Sequence, residues 1–133
     1  MDGLHLCADL GGCDPGAPLM RDAEALRGLC VSAVAEAGLG AVAELFHRFE
    51  PAPGQQQSGI TGVVLLAESH LAVHTWPELG AVTLDVYVCN LSADNAAKAE
   101  ALLDALQRAF TPREAAVQRL ERGRVGGRLS PSR

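Results

Sequence analysis

The 133-residue sequence has few aromatic residues and few positive charges. Aromatic residues make up 4% of the chain, and its 11 lysines and arginines are outnumbered by 16 aspartates and glutamates, for a formal net charge of −5. A nucleic-acid interface needs a basic surface with interleaved aromatic rings, and this composition does not supply one. We therefore expect no nucleic-acid partner.

Long hydrophobic runs are also missing. The apolar segment 62–67 is far too short for a membrane span, and residues 1–5 lack the basic and apolar parts of a signal peptide. We therefore expect no membrane association and a cytoplasmic location. The four cysteines are irregularly spaced and form no CxxC pair, so in a reducing compartment they are expected to be free thiols.

The chain does contain enough apolar residues, 48% of its length, to build one packed domain. We expect this domain to span residues 1–122. Residues 123–133 are rich in glycine, arginine and serine and are predicted to form a flexible tail.

Hydrophobic periodicity predicts the order strand, helix, several strands, helix, strand. Strands are expected over 3–10, 42–49, 60–67, 70–76, 81–88 and 115–120, and helices over 19–37 and from a cap at Ser92 or Asp94 to Phe110. The strand 60–67 is almost continuously apolar and is expected to be covered on both sides. Two helices on one face of a mainly antiparallel sheet give an α+β, two-layer sandwich.

Strand alternation assigns faces to the reactive side chains. His70, His74 and Trp76 fall on one face of their strand. Cys89 has the opposite parity to the core-facing valines of the strand before it, so its thiol need not be buried in the core.

Reactive residues are concentrated in the segment 67–78, with sequence AESHLAVHTWPE, and at Cys89. A hydrolase with Ser69 activated by His74 would need a Gly-x-Ser-x-Gly elbow and a third residue, and a Cys89–His74 hydrolase has no more support. His70 and His74 lack a third metal ligand, so we predict no metal site. Taken singly, these residues are typical of ordinary surface and core positions.

Taken together, they resemble the short bacterial and archaeal S-adenosylmethionine decarboxylases. The similarity rests on the eleven-residue motif ESHLAVHTWPE at 68–78, TGVV at 61–64 and DVYVC at 85–89, with LHLCAD at 4–9, FHRF at 46–49 and ERG at 121–123. It covers nearly the whole chain, and the central motif is highly specific.

The resemblance implies a carboxy-lyase that makes its own cofactor. Ser69 Oγ would attack the Glu68 carbonyl, and His74 would remove the Ser69 α-proton. The zymogen would thus cleave autocatalytically between Glu68 and Ser69, and Ser69 would become a pyruvoyl group. That group would form a Schiff base with S-adenosylmethionine, drawing off electrons as pyridoxal phosphate does elsewhere. Cys89 would be the proton donor in catalysis.

The resemblance also assigns supporting residues. Thr61 stands where the family commonly has a serine whose hydroxyl assists processing, and Asn90 replaces the glycine that usually follows the catalytic cysteine. Phe49 and Trp76 would flank the adenine, and Glu78 would accept hydrogen bonds from the ribose. The plainer reading of Glu78 is a solvated turn residue after Pro77.

Family members pair as homodimers, with their sheets face to face in a four-layer αββα sandwich and active sites at the interface. The implied function is decarboxylation of S-adenosylmethionine to the aminopropyl donor for spermidine biosynthesis. Two alternatives stay open: a pyruvoyl-dependent arginine or ornithine decarboxylase, and an unprocessed, non-catalytic regulatory paralogue. Phe49, Trp76 and Glu78, which suit a nucleoside, favour S-adenosylmethionine.

Overall fold

The computed structural model describes residues 2–90 and 93–123. Six strands form one antiparallel sheet in the order β2-β3-β4-β5-β1-β6. The strands are β1 (Gly3–Gly11), β2 (Ala41–Arg48), β3 (Ile60–Leu66), β4 (Ser69–Trp76), β5 (Ala81–Cys89) and β6 (Glu114–Arg122). The helices are α1 (Pro18–Arg21), α2 (Ala23–Glu36) and α3 (Ala96–Phe110), with a short 3₁₀ turn at Pro77–Leu79.

The helices cover one face of the sheet, as the α+β prediction requires. The alternating residues Leu4, Leu6, Ala8 and Leu10 of β1 are buried beneath them. The apolar stripe of α3 is buried throughout, and it comprises Ala99, Leu102, Leu103, Leu106 and Phe110. These side chains belong to a single core cluster between the sheet and the helices. In the part of the chain that the structure describes, no helix is long and apolar enough to cross a bilayer.

The prediction of one helix over 19–37 is wrong at Asp22. This residue has extended backbone angles, φ −108° and ψ 112°, and separates α1 from α2. Its carboxylate accepts hydrogen bonds from the amides of Glu24 at 3.0 Å and Ala25 at 3.4 Å. Asp22 therefore caps α2, because a side-chain oxygen there satisfies amides that have no partner within the helix.

Within residues 2–90 and 93–123 the opposite face of the sheet carries no helix, and we call it the open face. Leu45, Leu65 and Leu120 lie on it by register and are 69%, 46% and 46% exposed. The expectation that strand 60–67 is covered on both sides is therefore wrong for the single chain. The apolar run of β3 predicted two covered faces, but all the helices of one chain lie on the same side.

Other predictions have mixed outcomes. The four cysteines are free thiols, as expected. Of the two predicted caps of α3, the Asp94 carboxylate accepts a hydrogen bond from the Ala96 amide at 3.0 Å, whereas Ser92 lies outside the described residues. The predicted flexible tail lies outside them from residue 124 onward.

Candidate active site

Ser69 and Cys89 meet where β4 begins and β5 ends. A two-residue turn at Ala67 and Glu68 joins β3 to β4, since Leu66 pairs directly with Ser69. Glu68 is exposed and has a left-handed φ of 58°, a conformation that residues other than glycine seldom adopt. The Cys89 amide donates a hydrogen bond to Ser69 Oγ at 3.0 Å. The Glu68–Ser69 peptide bond thus lies in a tight exposed turn, with the serine hydroxyl fixed beside the cysteine backbone.

Cys89 is only 7% exposed, yet it lies outside the core cluster. Its register partner is Gly3, so its side chain has the parity of the open face, as the alternation of β5 predicts. Two contacts hold the chain just after the strand. The Asn95 side-chain amide donates to the Cys89 carbonyl at 2.9 Å, and the Asn90 amide donates to the Asp2 carbonyl at 2.7 Å.

Thr61 and His74 form a second pair on neighbouring strands. They are register partners of β3 and β4 on the open face, and Thr61 Oγ1 lies 3.0 Å from His74 Nδ1. If the Nδ1 proton is donated to the Thr61 hydroxyl, Nε2 presents a free lone pair and can accept a proton. The pair has the composition of a positioned general base.

An open cavity of about 240 Å³ lies beside this pair. The residues predicted to bind the nucleoside, Phe49, Trp76 and Glu78, all line it, together with Thr61 and His74. The imidazole of His74 stacks on the Trp76 indole with ring centroids 5.9 Å apart. The cavity therefore brings the three residues expected to contact the nucleoside together with the two expected to serve processing, and Glu78 is exposed.

Thr75 fixes the back of this cavity. It is the buried polar residue of the described core: its hydroxyl donates to the Met20 carbonyl at 2.9 Å and accepts from the Ile60 amide at 3.0 Å. Gly59 passes so close to β4 that an added Cβ would lie 1.7 Å from the Thr75 carbonyl oxygen. These contacts tie α1, β3 and β4 together around the subsite.

The structure does not bring the two pairs together within one chain. Ser69 and His74 lie on the same strand, five residues apart. At the rise of an extended strand their Cα atoms are about 16 Å apart. His74 therefore cannot reach the Ser69 α-proton of its own chain.

The sequence reasoning missed a polar network on the open face. Asp85 Oδ1 lies 3.0 Å from His5 Nε2, Cys7 Sγ lies 3.5 Å from the same nitrogen, and Arg122 donates to His5 Nδ1 at 3.2 Å. Burial, followed by the Asp85 carboxylate, raises the pKa of the Cys7 thiol. Strand parity was the available signal, because it places His5 and Cys7 side by side on one face.

Three side chains of this network are of types that bind metal ions. His5, Cys7 and Asp85 offer ligand atoms within 4.8 Å of one another. Arg122 already donates to Nδ1, which places the imidazole proton on Nε2 toward Asp85. His5 thus links Arg122 to Asp85 through hydrogen bonds at both of its ring nitrogens.

Comparison with known proteins decides the family. The family model described as S-adenosylmethionine decarboxylase matches residues 4–123. The chain belongs to the S-adenosylmethionine decarboxylase family. Its relatives include the S-adenosylmethionine decarboxylase proenzyme of Aquifex aeolicus, 40% identical over 123 residues that cover 92% of this chain and 82% of the relative. The proenzyme of Picrophilus torridus is 36% identical over 121 residues, covering 91% and 84%.

The fold is shared as well. The crystal structure of the adenosylmethionine decarboxylase from Aquifex aeolicus superposes with a TM-score of 0.79 at 37% identity and covers 96% of both chains. The resemblance of the motif at 68–78 to this family is confirmed by the family match.

Proposed function

We propose that this chain is a zymogen that cleaves itself between Glu68 and Ser69 and then decarboxylates S-adenosylmethionine. The observation that carries the proposal is the 3.0 Å hydrogen bond from the Cys89 amide to Ser69 Oγ. This bond supports the proposal because it ties the serine that would become the cofactor to the backbone of the residue whose thiol would deliver the proton. The family match gives no support to the arginine, ornithine or non-catalytic alternatives.

The cofactor is a pyruvoyl group derived from Ser69, which supplies an electron sink for the electrons released when carbon dioxide leaves. Its position fits the surrounding residues. Ser69 is half-buried at a strand end, its preceding peptide bond is exposed, and the nearby Cys89 is shielded from water. Cys89 would protonate the substrate carbon that loses its carboxylate, a role that requires a protonated thiol.

The separation of Ser69 from His74 supports a site built from two chains. In a dimer with open faces together, the Ser69–Cys89 end of one sheet would lie over the Thr61–His74 end of the other. His74 of one protomer would then serve Ser69 of its partner, and a two-fold axis would generate two equivalent sites. The nucleoside subsite beside His74 would hold the adenosine part of the substrate within reach of the partner's cofactor.

The open face supports such a homodimer. Leu45, Leu65 and Leu120 are exposed apolar side chains on a sheet face without helices. Two such faces packing at about 10 Å would form a four-layer αββα sandwich and bury them. The product would be the aminopropyl donor for spermidine synthesis, made in the cytoplasm.

Intact mass spectrometry tests the first step. We expect two fragments from the wild-type protein and one full-length chain, 13.9 kDa, from Ser69→Ala. Release of labelled carbon dioxide from S-adenosylmethionine, with arginine and ornithine as comparison substrates, tests the second. A wild-type chain that stays whole, or that turns over only arginine or ornithine, would rule out the proposal.

A further inference from the structure

Asn95, at the start of α3, forms a side-chain hydrogen bond that is unusual for its position. Asparagine is among the preferred N-cap residues because its side-chain oxygen can accept from the first free amides of a helix. Asn95 occupies the N-cap position but makes no such bond. Its side-chain amide instead donates to the Cys89 carbonyl at 2.9 Å, and Asp94 takes up the Ala96 amide. The Asn95 side chain therefore bonds to Cys89 and does not cap the helix.

A second contact locks Asn95 in this position. Its backbone amide donates to the Asn90 side-chain oxygen at 2.8 Å. Asn90 in turn donates its own amide to the Asp2 carbonyl at the edge of β1. Asn90 and Asn95 therefore clamp the exit of β5 between the sheet and the first turn of α3.

The clamp matters because the other anchor of Cys89 changes during maturation. The Cys89 amide is bound to Ser69 Oγ in the uncleaved chain. In the proposed cleavage the Glu68 acyl group moves from nitrogen to Oγ, the Ser69 α-proton is removed, and the Oγ–Cβ bond breaks. Oγ leaves with the new Glu68 carboxylate, and the dehydroalanine left at residue 69 takes up water and releases ammonia to become the pyruvoyl group. Residue 69 therefore no longer holds Cys89 through Oγ. The contact from Asn95 involves no atom that this chemistry alters.

We propose that Asn95 is a positioning residue for the decarboxylation step, holding Cys89 so that its thiol delivers the proton to one face of the substrate carbon. The inference rests on the proposed function and deepens it. The Asn95 side chain bonds to the Cys89 carbonyl, so its effect on the reaction is expected to pass through the Cys89 backbone. Displacing a proton donor by a fraction of an ångström lowers the rate of the chemical step far more than it changes substrate binding.

The test compares three variants as fully cleaved protein, verified by mass. Asn95→Ala removes the side chain. Asn95→Asp keeps its shape and is a good helix cap, but its carboxylate cannot donate to the Cys89 carbonyl. Asp94→Ala is the matched control, because it removes the cap of the same helix without a contact to Cys89. The measurements are kcat, KM, thermal stability, and the stereochemistry of deuterium in product formed in deuterated water.

We expect kcat to fall about tenfold in Asn95→Ala and Asn95→Asp, with KM unchanged and deuterium distributed over both faces of the carbon. Asn95→Asp should keep or raise the melting temperature, so its loss of rate cannot come from unfolding. Asp94→Ala should melt earlier and keep its kcat and stereochemistry. Equal kcat losses in Asp94→Ala and Asn95→Ala, or an unchanged kcat in Asn95→Asp, would overturn this inference alone. An inactive wild-type enzyme would overturn the proposed function and the inference with it.

Discussion

Ser69 and His74 lie on one strand, five residues and about 16 Å apart, although the processing chemistry that we propose requires them to touch. Each has a close partner at its own end of the sheet: Cys89 for Ser69, and Thr61 for His74. Within a single chain the Ser69–Cys89 pair and the Thr61–His74 pair are thus too far apart to touch. This relationship leads to the first prediction.

Mixed dimers should restore cleavage that neither parent performs. Ser69→Ala lacks the serine and His74→Ala lacks the base, so each should stay full-length alone. When the two are co-expressed with different tags, the His74→Ala chain should cleave because its Ser69 meets His74 of the other chain. For random pairing of equal amounts, about half of the His74→Ala chains should be cut. Intact mass of the two tagged chains measures this; a mixture that remains uncut would contradict a shared site.

Cys89→Ser should separate the two reactions. The Cys89 backbone amide, which contacts Ser69, is unchanged in this variant, so self-cleavage should proceed. Decarboxylation should fall about 100-fold or more, because a hydroxyl is a much weaker acid than a thiol. Cys7→Ser, which alters another thiol on the open face, should retain activity within about twofold. If cleaved Cys89→Ser protein kept full activity, Cys89 could not be the proton donor.

Thr75→Val should destabilise the fold behind the cavity that Phe49, Trp76 and Glu78 line. Valine has the same shape but leaves the Ile60 amide and the Met20 carbonyl without their hydroxyl partner in the core. We expect the free energy of unfolding to drop by about 1–3 kcal/mol, measured by urea denaturation in the single-chain Ser69→Ala background. Thr83→Val, on the open face, is the control and should change stability by no more than about 0.5 kcal/mol. Equal effects of the two substitutions would show that the Thr75 contacts contribute little.

Cys30 should make the fold sensitive to alkali. Burial raises the pKa of its thiol from 9.0 to about 12. The folded chain therefore keeps this proton at pH values where the unfolded chain has lost it, so stability is complete below pH 9 and falls as pH rises toward 12. The contribution of this one group is a slope of up to about 1.4 kcal/mol per pH unit.

The comparison uses Cys30→Ala in the same Ser69→Ala background, with urea denaturation at pH 8, 9 and 10. The alanine variant should lose less stability between pH 8 and pH 10 than its parent, because it has no thiol to titrate. Parallel slopes for the two proteins would argue that Cys30 does not account for the alkaline loss.

The sequence by itself determined the sheet, the helical stripe of α3 and the family. Strand alternation and the helical period of α3 depend on which side chains are apolar and become buried, and this pattern can be read directly from the order of residues. The motif at 68–78 is also a continuous segment, so the resemblance to the family was visible in the sequence alone. The sequence also placed Phe49, Trp76 and Glu78 in one subsite through the resemblance, and the cavity gathers them as expected.

Tertiary structure alone decided what depends on contacts between distant segments. The break at Asp22 is the exception, because its carboxylate caps α2 through amides only two and three residues further on, a local signal that the continuous apolar period conceals. The open face exists because the helices of the described chain all lie on the same side of the sheet. The apolar run of β3 does not show on which side the helices pack. The pairing of Ser69 with Cys89 depends on how β4 and β5 pair, and the Asn95 side chain bonds to Cys89 in place of a local helix cap. The distance from Ser69 to His74 follows instead from their positions on one strand. Contacts between separate helices and strands fixed the open face, the Ser69–Cys89 pairing and the Asn95 bond, and no local pattern encodes them.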